Sequence, residues 1–114
     1  MTKLQSLLKA KARQINQDEV LMNEIRSWLE GYEGKIIGIK TPEEVYHLVF
    51  TDSGVTVREG EYPSCEGYYR GHEEEIVKVL EGKDSAYIGY PAGRFHFWGS
   101  LSETQKFERI FKKA

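Results

Sequence analysis

Two residue pairs in the chain have types and spacing that could do chemistry. His72 and Glu75 stand three apart in "HEEEIVKVLEGK", so on a helix they would share a face and could hold a metal ion. A metal site needs a third and a fourth ligand, and the other histidines, His47 and His96, fall in strand-like stretches. The plainer reading is a helix start whose acids suit the positive end of the dipole. Cys65 is the single cysteine and could be a thiol nucleophile with His72 as its base. No orienting group follows in a recognisable pattern, and a lone cysteine is usually a small buried hydrophobe. "EGYYRG" has two glycines but no Lys-Ser/Thr behind them, so no phosphate-cradling loop is expected. The chain reads as non-enzymatic, with no cofactor and no metal.

The third constellation is "GRFHFWGS", residues 93–100, where Arg94 and His96 alternate with Phe95, Phe97 and Trp98. Its basic and aromatic residues loosely match the central strand of an RNA-binding sheet. The order differs, because Gly93 precedes the base and His96 fills a small-residue slot. The formal charge of −2 also argues against nucleic acid as the main partner, since phosphate binding needs a net basic face. As a strand, the stretch puts Phe95 and Phe97 on one face and Arg94, His96 and Trp98 on the other.

The elements that must position these residues follow from periodicity. A chain of 114 residues with 39% hydrophobic and 30% charged residues fits one domain with one core, here 1–34 helical and 35–114 sheet plus helices. A single cysteine excludes an internal disulfide. No apolar run is long enough to span a membrane, no signal-peptide core opens the chain, and "FKKA" is not a peroxisomal address. A cytoplasmic setting is expected.

Leu4, Leu7, Leu8, Ala12 and Ile15 recur at helical spacing on an otherwise basic segment. That helix, residues 2–15, could dock on the domain's own sheet or lie on an anionic membrane surface. Asn16 with Glu19 reads as a capping box before a second stripe, Leu21, Ile25, Trp28, Leu29 and Tyr32, which Gly31 and Gly34 end. The two stripes make one bent helix or two.

From Lys35 the period changes to two. "KIIGIKT", "EVYHLVFTDSG" and "VTVREGEYP" read as strands, the last two as a hairpin, and "CEGYYRG" as a third hairpin strand. "HEEEIVKVLEGK" is a helix ended by Gly82, "SAYIGY-PAG-RFHFWGS" gives one or two strands around a Pro-Ala-Gly turn, and Ser102 with Gln105 caps a last helix. Consecutive strands imply a mainly antiparallel sheet with helices over one face: an α+β two-layer sandwich.

The segment "HEEEIVKVLEGKDSAYIGYPAGRFHFWGSLSETQKFERIF" resembles the C-terminal half of sterol carrier protein domains. Leu80, Gly82 and Lys83 match the end of that family's helix. Gly93, Arg94, Phe95, His96, Phe97, Gly99 and Ser100 match its following strand. The stretch between Lys83 and Gly93 is longer than usual for the family, and Gly71-His72 replaces its usual helix start. The resemblance covers roughly residues 35–113. It implies a five-stranded sheet with an apolar tunnel beneath it that holds a lipid, a fatty acyl chain or a sterol.

Walls for such a tunnel would come from Phe95 and Phe97 on the strand, Phe107, Ile110 and Phe111 on the last helix, and Ile76 and Leu80 on the helix before. The expected protein is therefore a small carrier of an apolar ligand. The rival is a structural or interaction module with a filled core, paired as a homodimer through Arg94, His96 and Trp98.

Overall fold

The computed structural model describes residues 2–114. Helix α1 (Lys3–Asn16) starts at Thr2, whose hydroxyl accepts the Gln5 N–H. It turns Leu4, Leu8, Ala12 and Ile15 into the core, so its leucine stripe is spent on the protein itself, with only Leu7 partly exposed. Helix α2 (Glu19–Leu29) is separate. Its cap is Asp18 rather than Asn16: the carboxylate accepts the Val20 and Leu21 N–H groups at 2.9 and 3.1 Å. Asn16 lies instead against the outermost strand, where its amide donates to the Val55 carbonyl at 3.0 Å and accepts the Val55 N–H at 2.8 Å. An edge strand leaves such backbone groups unpaired, and this side chain completes one pair. In α2 the predicted stripe holds through Leu29, while Tyr32 lies past the helix end and is exposed.

The sheet comprises β1 (Lys35–Lys40), β2 (Val45–Thr51), β3 (Gly54–Glu59), β4 (Gly67–Arg70) and β5 (His96–Gly99), in the spatial order β3-β2-β1-β4-β5. Three pairings are antiparallel, and β1 with β4 is parallel. The expected third hairpin strand, β4, therefore does not pair with β3. The connection from Gly60 to Glu66 carries the chain to the far side of β1. Glu66 anchors it there, its backbone N–H donating to the Ile36 carbonyl at 2.8 Å.

Alternation gives the sheet two unlike faces. Ile37, Ile39, Leu48, Phe50, Val55 and Tyr69 face the helices and are buried. α1 packs on β3, α2 on β2 and α5 (Leu101–Lys113) on β4, completing the α+β sandwich. α3 (Glu73–Leu80) buries Ile76, Val77, Val79 and Leu80.

Two local expectations fail. Residues 85–90 do not form a strand, and Ala86–Gly89 is a short helix, α4. Ser85 caps it by accepting the Ile88 N–H at 3.2 Å, and the Glu108 carboxylate accepts the Ala86 N–H at 2.9 Å. Gly89 leaves the space that the Phe95 ring occupies. These are partners that a pattern of apolar residues does not reveal. Likewise α5 is capped by Ser100, which accepts the Glu103 N–H at 3.3 Å, and Ser102 lies inside the helix. No helix among the described residues is long and apolar enough to cross a membrane.

Candidate ligand site

The seven residues predicted as pocket walls come together. Ile76, Leu80, Phe95, Phe97, Phe107, Ile110 and Phe111 are at most 6% exposed and belong to one hydrophobic cluster. Their rings touch edge to face or tilted, the geometry aromatic pairs prefer. Phe107 and Phe111 stand 4.9 Å apart between centroids, and Phe50 lies 5.8 and 6.2 Å from them. Tyr69, which periodicity did not single out, is the hub: its ring lies 5.9 Å from Phe95, 5.3 Å from Phe97 and 6.0 Å from Phe107. The signal was present in "GYYRG", but β4 had to be placed beside β5 before the inward tyrosine could be recognised.

Two polar nodes are set into this apolar layer. The first lies under α4. The Tyr69 hydroxyl donates to Glu108 at 2.5 Å, and the same carboxylate oxygen caps Ala86. Burial pushes the Glu108 carboxyl above the usual carboxylate range, against the lowering pull of its two donors. Burial, with Glu108 as neighbour, pushes the Tyr69 phenol well up. The second node holds Lys35 at 4% exposure, its ammonium donating to the Trp28 carbonyl at 2.8 Å and to the Glu103 carboxylate. Glu103 also accepts the Trp28 indole N–H at 3.2 Å, and the ammonium lies 5.3 Å from the Trp28 ring centroid. A buried lysine requires such a partner set.

The segment from Asp84 to Arg94 covers the Tyr69 end of the layer. Arg94 closes its base with a two-bonded pair to Asp84 at 2.8 and 3.0 Å. That pairing lowers the Asp84 carboxyl. Tyr87, Ile88 and Tyr90 are exposed on this segment, and the Tyr90 ring reaches Phe97 at 6.3 Å.

The candidate chemistry outside the layer does not assemble. His72 precedes α3 without a side-chain cap, and its carbonyl accepts the Glu75 and Ile76 N–H groups. Glu75 pairs with Lys78 at 3.5 Å. Among the described residues no three His, Cys, Asp or Glu side chains converge as a metal set. Cys65 lies on the outer side of the sheet near Gly38 and donates weakly to the Tyr62 carbonyl at 3.7 Å. Burial, then Glu66 and Glu61, pushes its thiol up, the reverse of an activated nucleophile.

No family model matches the chain, and no curated protein matches it in sequence. Solved structures do match. The UbiJ-SCP2 ubiquinone synthesis protein superposes with a TM-score of 0.68 over 90% of this chain and 90% of that one, at 16% identity. Sterol carrier protein-2 like-3 from Aedes aegypti gives 0.65 over 100% of both chains at 12% identity. The chain has the sterol carrier protein 2 fold. Sterol carrier protein 2 from Yarrowia lipolytica, in its apo form, gives 0.61 over 96% of this chain and 87% of that one, at 14% identity. At these identities the likeness concerns the path of the backbone. In the sterol carrier fold of this chain, the apolar layer lies between sheet and helices, where the sequence resemblance implied a tunnel.

Proposed function

We propose that this chain, as one unit, is a small cytoplasmic carrier without catalytic activity that binds an apolar ligand non-covalently. The ligand is a lipid, a fatty acyl chain or a sterol-like molecule. Its site is the layer bounded by Phe95, Phe97, Phe107, Phe111, Ile76, Leu80 and Ile110. The observation that carries the reading is this continuous aromatic layer in a sterol carrier fold.

The rings meet one another, so a bound chain must part them. The Asp84–Arg94 segment is the natural place to yield. It has one short helix, exposed apolar side chains and a clamp at its base. Affinity would come from buried hydrocarbon, about 0.8 kcal/mol per CH2. Two further methylenes would therefore tighten binding about tenfold.

Native mass spectrometry of freshly purified protein and thermal shift with a panel of fatty acids, acyl-CoAs and sterols test the reading. Adducts and a melting temperature that climbs with chain length support it. No adduct and no shift across the panel overturns it. The rival homodimer would use the outer face. That face sets the cations Lys40 and Arg70 side by side in the strand register, like charges that a second copy would have to oppose with its own.

A further inference from the structure

The outer face of β1, β4 and β5 carries two rows of side chains set by register. In the first, Lys40 pairs with Arg70 across the parallel ladder, and Arg70 pairs with His96 across the antiparallel one. Three basic residues thus stand on adjacent strands, about 4.8 Å apart in the pairing direction. In the second row, Gly38 pairs with Tyr68 and Tyr68 with Trp98. The rings of Tyr68 and Trp98 meet edge to face at 5.8 Å, and Trp98 is 52% exposed. Gly38 makes the row possible, because a Cβ there would come within 2.8 Å of the Tyr68 ring.

Two hollows open over these rows and share Lys40 and Arg70. One, of about 510 Å³, has Tyr68, Trp98 and Tyr62 on its walls. The other, of about 480 Å³, has His72, Arg94 and His96. Like charges placed opposite one another in a sheet are destabilising. In this row Glu61, on the wall of the first hollow, pairs with Lys40 at 3.6 Å and accepts the Tyr68 hydroxyl at 2.7 Å, while Arg70 and His96 take no ion pair among the described residues. Arg94 beside them is already committed to Asp84. Arg70 and His96, which have no acid paired to them among the described residues, are the part of the row complementary to an anion.

We propose that this outer face is a second binding site, for a small ligand that joins a phosphate or diphosphate to a flat ring. Arg70 receives the phosphate oxygens through its planar fork, with Lys40 and His96 on either side. Trp98 receives the ring by stacking, with Tyr68 at its edge. The size is that of one nucleotide rather than a strand. The Gly60–Glu66 connection walls the face on the β2 side, where Tyr62 packs on His47 at 5.4 Å. Long nucleic acid would need an open sheet and a basic protein. The site lies on the opposite face of the sheet from the apolar layer and meets it only at Phe95, which lines the second hollow, so it does not depend on whether that layer carries lipid.

Calorimetry and tryptophan fluorescence with ADP, pyrophosphate, adenosine, a single-stranded oligonucleotide series and phosphatidic acid vesicles test the proposal. ADP should bind saturably at millimolar concentration or below and quench emission. Pyrophosphate and adenosine should each bind more weakly than ADP. Arg70→Ala should weaken ADP about tenfold or more, with the melting temperature unchanged. Trp98→Phe should keep binding by calorimetry and remove the quench. Absence of saturable ADP binding overturns the site, as does binding indifferent to Arg70→Ala and His96→Ala. Affinity that grows with oligonucleotide length transfers the face to nucleic acid, and binding to the vesicles without binding to ADP transfers it to a membrane. Either result overturns the small-ligand site.

Discussion

Strands β4 and β5, with Phe95 just before β5, carry two aromatic surfaces that differ by one residue in sequence and by everything in environment. Tyr69, Phe95 and Phe97 point toward the helices and are nearly dry. Tyr68 and Trp98 point the other way, beside Arg70 and His96, under an open groove. Composition treats these rings alike. The inward rings are held by neighbours on every side, so their contribution is mainly to stability. The outward rings have a free face, so removing them changes what the protein can touch more than whether it folds.

The sharpest way to break this contrast is to truncate one ring on each side. Phe107→Ala removes a fully buried ring and should cost about 3–5 kcal/mol in urea unfolding. Trp98→Ala should fall within about 0.5 kcal/mol of the parent. Equal losses would mean that the outer face is as tightly packed as the inner one.

Glu103→Ala is the next largest expected effect. It leaves the Lys35 ammonium buried without its carboxylate and should cost about 3 kcal/mol, at the low end for broken buried pairs because Glu103 retains 27% exposure. Lys35→Met in the same background should recover much of that loss, since no orphaned charge remains.

A smaller effect separates the Tyr69 node from the rest of the layer. The folded carboxyl of Glu108 titrates above its ordinary value of 4.5. Between that value and the raised one the folded state binds more protons than the unfolded state. Its contribution to stability therefore falls as pH rises through this window and levels off above it. Glu108→Gln keeps acceptors for Tyr69 and Ala86 and should flatten that part of the stability–pH curve. An unchanged slope there would show that Glu108 is solvated rather than buried.

Much of the architecture was legible because it rests on periods. The stripes Leu4–Leu8–Ala12–Ile15 and Leu21–Ile25–Trp28–Leu29 became α1 and α2, and the alternation in "EVYHLVF" and "GRFHFW" assigned each residue to the face it occupies. All seven proposed wall residues lie in one cluster, although their part in binding rests on the proposal above. Two of the differences share a cause: for Asn16 and "SAYIGY" the deciding atoms are distant, since Val55 bonds the Asn16 amide and Glu108 caps Ala86. The last helix differs locally, its cap being Ser100 two residues before Ser102.

By itself the sequence determined which residues alternate and which recur every third or fourth position, because backbone geometry imposes those periods on any chain. That was enough for the sandwich and for the two-sided strand. Only the tertiary structure decided that β4 runs parallel beside β1, because the Gly60–Glu66 connection crosses the outer face. That single crossing brings Tyr69 under Phe95 and Phe97, and it sets Lys40, Arg70 and His96 in one row. Strand neighbours separated by tens of residues have no periodic signature, and their pairing is fixed only when the whole sheet closes its ladder.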